Sequence, residues 1–151
     1  MSRVGTLIDE MVAQLKLIVE PTYPLTFGQV VPYDVPILEN DQIIFPLLSI
    51  IDNGQERKRI DKDYNGFTRF DAEILIKGAV RTDTVDEIYG ELSKLEAGVK
   101  QLIDSEPTLS NVLQWKFTET IDRIFEIDHD QFVGAFVLRT RVIYTASSGV
   151  F

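Results

Sequence analysis

The last third of the chain, TETIDRIFEIDHDQFVGAFVLRTRVIYTA, constrains the fold most, because it reads as a strand, a tight acidic turn and a long closing strand. From Phe132 the residues alternate. Phe132, Gly134, Phe136, Leu138, Thr140, Val142 and Tyr144 take one side, and Val133, Ala135, Val137, Arg139, Arg141, Ile143 and Thr145 take the other. The first side is apolar throughout, so it faces a core. The second starts apolar and turns basic halfway, which predicts a strand covered on both faces near Val137 and open to solvent or a partner near Arg139 and Arg141. A chain that ends this way, with no catalytic motif nearby, reads as a building block.

The remaining elements set what this strand packs against. A helix is expected from about Thr6 to Val19, with Val4, Leu7, Ile8, Met11, Val12, Leu15, Ile18 and Val19 on one stripe and Thr6 and Asp9 placed like a capping box. Pro21 and Pro24 end it. Glu20 to Asp41 holds four prolines and reads as an arm with a short strand near Phe27 to Val31. Gln42 to Ile51 is β-branched and aromatic, and Pro46 within it argues for an edge position or a bulge. Asp52 to Gly66 is a polar loop marked by Asn53-Gly54 and Asn65-Gly66. Phe67 to Arg81 alternates as a half-buried strand. A second helix is expected from Thr84 to Ile103, capped by Asp83 and striped by Val85, Ile88, Leu92, Leu95, Val99, Leu102 and Ile103, and a strand from Val112 to Thr118 follows. Helices separated by runs of strands predict an α+β fold: a largely antiparallel sheet with two amphipathic helices packed on one face.

At 151 residues the chain is one domain, 1–151, and 44% hydrophobic residues suffice for its core. Fifteen basic residues against 24 acidic ones give a net charge of −9, which disfavours a surface that grips nucleic acid. Cysteine is absent, so disulfides, thiolate metal sites and Cys nucleophiles are excluded, in keeping with a reducing cytoplasm. Asp9 and Glu10 interrupt the only early apolar stretch, which does not read as a signal peptide. The longest apolar run, Ile43 to Ile51, is under half the roughly 20 residues of a membrane-spanning helix.

His129 is the sole histidine and sits between Asp128 and Asp130, with Glu126 close by. Such a group is able to hold a divalent metal, and a small metal-dependent hydrolase centred on His129 is the alternative from the enzyme class. Aspartates beside a hairpin connection are nevertheless ordinary turn chemistry. There is no Gly-x-Ser-x-Gly elbow and no Gly-rich phosphate loop. No catalytic, cofactor-binding or metal residue is therefore assigned, and no cofactor is expected.

Two charge patterns stand out. Arg57, Lys58, Arg59 and Lys62 concentrate basic charge in the 52–66 loop, which exceeds ordinary hairpin length and is a candidate docking element for an acidic partner. Intermixed Glu56, Asp61 and Asp63 weaken that field. The second helix is acidic, and Glu91 and Glu96, lying beyond the reach of the helix dipole, are candidates for an outer acidic face. Ile43, Phe45 and Leu47 are candidates for a subunit-interface edge, given Pro46.

The N-terminal helix, the strand IIFPLLSII, the loop into RFDAEILIKGAVR, the helix VDEIYGELSKLEAGVKQLI and the acidic hairpin ending FVLRTRVIYTA follow one another in a layout that resembles the tail terminator proteins of long-tailed bacteriophages, of the lambdoid minor tail protein type. The resemblance covers most of the chain and lies in layout and spacing. The arm from Glu20 to Asp41 is longer than the family pattern. The resemblance implies a virion protein assembled in the host cytoplasm: a homohexameric ring that caps the tail tube, ends its polymerisation and offers a joining surface to the head connector. Implied partners are further copies of the chain, the tube protein and the head–tail connector, with no membrane and no specific nucleic-acid binding, DNA passing through the ring. Another head–tail neck or completion protein is the alternative within this class.

Overall fold

The computed structural model describes residues 3–17, 27–34, 43–52, 57–58, 67–105, 109, 112–128 and 131–147. Its elements are helix α1 (Arg3–Leu15), strands β1 (Gln29–Val31), β2 (Leu47–Asp52), β3 (Arg57–Lys58) and β4 (Phe67–Thr82), helix α2 (Val85–Asp104), and strands β5 (Val112–Asp128) and β6 (Gln131–Ser147). The strands form one sheet in the order β1-β2-β4-β6-β5, with β3 pairing β4 beyond the end of β2. Every pairing is antiparallel except β1 with β2. The fold is α+β.

The centre of the sheet follows from alternation. β4 and β6 pair without a break from Phe67↔Ser147 to Thr82↔Phe132. Phe70, Ala72, Ile74, Ile76 and Val80 of β4 and Phe136, Leu138, Val142 and Tyr144 of β6 are all buried, and they join one core cluster with both helices. The α1 stripe contributes Leu7, Ile8, Met11, Val12 and Leu15, and α2 contributes Leu92, Leu95, Val99, Leu102 and Ile103. Each such Leu or Ile gains about 1.5–3 kcal/mol on leaving water, so this face holds the helices to the sheet. Gly78 sits between the sheet and α2 with no room for a side chain. A Cβ there would overlap the side chains of Phe136 and Leu95.

Helix boundaries differ from the sequence expectation in their caps. α1 starts at Arg3, so Thr6 lies inside it and is not its N-cap. The N-cap of α2 is Thr84 rather than Asp83, and its side chain makes no capping hydrogen bond. Thr82 Oγ1 instead donates to the Thr84 carbonyl at 2.8 Å, fixing the corner between β4 and the helix. Asp86 and Glu87 occupy the first turn, where the macrodipole favours acids. The C-terminus closes on Ser105, whose backbone N–H donates to the Gln101 and Leu102 carbonyls.

The segments read as two strands before the acidic turn are one strand, β5, of 17 residues. Three register shifts interrupt its pairing with β6, between Val112 and Gln114, Phe117 and Glu119, and Thr120 and Asp122. Each inserts a residue and reverses the side-chain alternation. The apolar period is broken at these points while the strand continues.

Candidate functional site

The described residues present their charged and apolar side chains on the two faces and the edges of the sheet. The sheet face turned away from the helices carries a second, smaller cluster of Val31, Leu47, Ala79 and Ala135, with Ile43 and Phe45 packed against it. The Arg81 guanidinium lies 4.6 Å from the centre of the Phe45 ring. Two-sided burial therefore occurs at Val133 and Ala135, earlier in the strand than expected, while Val137 is half-buried.

This arrangement corrects the expected edge. Ile43, Phe45 and Leu47 do not form a free strand edge: β1 lies alongside β2 through Gln29↔Leu47, Val30↔Leu48 and Val31↔Ser49, and Leu47 is buried. Pro46 precedes the first residue of β2 instead of lying within the strand. Its carbonyl accepts the Gly28 N–H at 2.9 Å and the Gln29 N–H at 3.2 Å, so the proline starts the β1–β2 contact. The outermost strands are β1 and β5.

Farther along the same face the strand reaches solvent at Arg139 and Arg141, as expected, and both arginines carry acidic partners. Arg141 Nε lies 3.3 Å from Asp71 Oδ1, and Arg139 pairs with both Glu73 of β4 and Glu119 of β5. Lys77 Nζ similarly meets Asp34 Oδ1 at 3.0 Å. Asp71 and Glu73 alternate along β4, which places both acids on the face of the arginines, and the diagonal reach across neighbouring strands completes the pairs. These half-exposed pairs contribute little stability singly and keep the face neutral.

The two candidate acids of α2 separate. Glu91 stays near the surface, with Lys94 Nζ at 3.3 Å. Glu96 is not on an outer acidic face. It is buried between α2 and β5, where Thr120 Oγ1 donates to Oε1 at 2.7 Å and Arg123 Nη2 donates to Oε2 at 2.9 Å. Lys100 Nζ stands 3.6 Å from Oε1 and also caps the Phe117 ring, 4.4 Å from its centre. Burial raises the Glu96 pKa, but the Thr120 hydrogen bond and the charges of Lys100 and Arg123 outweigh it and hold the carboxyl below the usual range. Glu96 thus ties the helix to the edge strand.

Arg57 and Lys58 form β3, the short strand inside the expected loop, pairing with Asp71 and Phe70 of β4. Arg59, Lys62 and His129 lie outside the described residues. Among the described residues no group of three or more acidic or His side chains is placed to hold a metal ion. No described helix is long and apolar enough to cross a membrane.

Sequence reasoning missed Ile121 and Asp122, both exposed on β5 at a register shift. An isoleucine between two polar residues was the available signal. No protein-family model matches the chain, and no curated protein matches it.

Proposed function

We propose that this chain is a structural virion protein, the subunit of a ring that caps a phage tail tube, ends its polymerisation and presents a joining surface to the head connector. The layout of its segments supports this reading, and one structural observation carries it. Both helices lie on one face of the sheet, while the outer sides of β1 and β5 carry no further strand among the described residues. A subunit whose rigid sheet ends in two different strands has two unlike sides, and unlike sides make head-to-tail contacts that close into a ring when the rotation permits. The net charge of −9 suits a lumen through which DNA passes without being held.

The chain carries no catalytic role in this reading. The experiment is addition of the purified chain to growing tail tubes, followed by electron microscopy. Capped tubes of arrested length are expected. Tubes that elongate unhindered, with bare ends, overturn the reading.

A further inference from the structure

Strand β5 is held to the rest of the molecule unevenly along its length. Trp115 is buried and Phe117 packs against the core, so the first part of the strand is anchored by apolar side chains. Over 118–123 that anchoring stops. No residue there is buried, and Ile121, the only large apolar side chain among them, is 44% exposed. The ladder to β6 is cut in the same place: Glu119↔Arg139 and Thr120↔Leu138 stand between two register shifts, and unbroken pairing resumes at Asp122↔Val137. Among the described residues no strand pairs the other side of β5. A segment with little apolar burial and interrupted hydrogen bonding lies at the low end of local stability.

What fastens these residues is polar. Thr120 Oγ1 and Arg123 Nη2 donate to the two carboxylate oxygens of Glu96, at 2.7 and 2.9 Å, and Glu119 pairs with Arg139. Glu96 is buried and Arg139 half-buried, so losing a partner is costly for both. Each, however, has a second partner that belongs to the body of the fold. Lys100 of α2 stands 3.6 Å from Glu96 Oε1, and Glu73 of β4 pairs with Arg139. Withdrawal of 118–123 therefore leaves neither charge unpaired.

We propose that 118–123 is a latched segment, which leaves the sheet and returns as a unit while α2, β4 and β6 stay folded, with Glu96 as the latch. The two states differ by an exchange of partners. In the closed state Glu96 holds Thr120 and Arg123, and Arg139 holds Glu119. In the open state Glu96 keeps Lys100, Arg139 keeps Glu73, and the side chains of Thr120, Arg123 and Glu119 pass to water. Any contact made at this edge then selects between two states of β5 and does not meet a fixed surface. The latch belongs to the single chain and stands whether or not copies close into a ring.

Amide hydrogen exchange, followed residue by residue by NMR across a series of low urea concentrations, tests the latch. In the wild type the protected amides of 118–123 are expected to exchange through openings that urea barely promotes, whereas those of β4 and β6 follow the urea dependence of global unfolding. Arg123→Ala is expected to speed exchange over 118–123 by about three- to tenfold, the worth of a half-exposed charge-assisted hydrogen bond, and to leave β4 and β6 as they were. Glu73→Gln removes the charge on which Arg139 falls back, and is expected to slow exchange over the same residues. Wild-type exchange of 118–123 in step with β4 and β6 would overturn the proposal. So would an Arg123→Ala effect that is absent or spread evenly over the sheet, and so would faster exchange of the segment in Glu73→Gln.

Discussion

Arg123 of β5 reaches back to Glu96 of α2, Nη2 to Oε2 at 2.9 Å, so a carboxylate under the helix is tied to the outermost strand of the sheet. Glu96 also accepts from Thr120 and faces Lys100. The longest edge of the sheet is thereby held against the helix by polar contacts at its middle, where register shifts interrupt its pairing.

Replacing Glu96 by Ala is expected to lower stability by about 1–3 kcal/mol, because Thr120, Lys100 and Arg123 lose a shared acceptor. Chemical denaturation measures it. Glu96→Gln, which keeps one oxygen acceptor, is expected to lose less.

The same residue gives a pH dependence. The folded pKa of Glu96 lies below its unfolded value, so its contribution is complete above the unfolded pKa and is lost as pH falls through the folded one. The stability difference between wild type and Glu96→Gln is expected to be largest at neutral pH and to shrink as the pH drops below about 4. Urea midpoints across that range read it. A difference that grows on acidification contradicts the assignment.

Trp115 and Thr140 make a second test inside the core. Trp115 Nε1 donates to Thr140 Oγ1 at 3.0 Å, and that hydroxyl donates to the Ile74 carbonyl at 2.9 Å. Thr140→Val keeps the shape and strands the buried indole N–H, at an expected cost of about 1–3 kcal/mol. The shift in Trp115 emission and the denaturation midpoint report it together.

Gly78→Ala places a methyl against Phe136 and Leu95 where the helix meets the sheet. Phe136 is fully buried, so relief requires movement of α2, and a loss of about 1–3 kcal/mol is expected. A thermal melt at wild-type temperature would show that the helix yields freely.

Much of this architecture was legible because it rests on unbroken periods. The β6 alternation from Phe132 to Tyr144 and the α2 stripe from Ile88 to Ile103 placed both elements and their buried faces. Where a period is interrupted, the reading failed for an identifiable reason. The extra residue after Phe117 puts Thr120 on the face of Trp115 and Phe117 although it is three positions on, so the alternation breaks and one strand looked like two. The parallel β1–β2 pairing joins the short strand inside the proline-rich arm to the strand that follows the arm, and no local pattern announces it. Glu96 looked solvated by chemistry, yet its place four residues after Leu92 and three before Val99 puts it beside the buried stripe. The pairing of Arg139 with Glu73 and Glu119 needed the register of three strands, which composition does not carry.

Light scattering coupled to size exclusion measures ring closure most directly. A discrete multimer of the 17.2 kDa subunit is expected, hexameric by the family resemblance, with a mass that does not grow further as concentration rises. A single species at the mass of one subunit at every concentration, from a protein that also leaves tail-tube ends bare in electron micrographs, would contradict it.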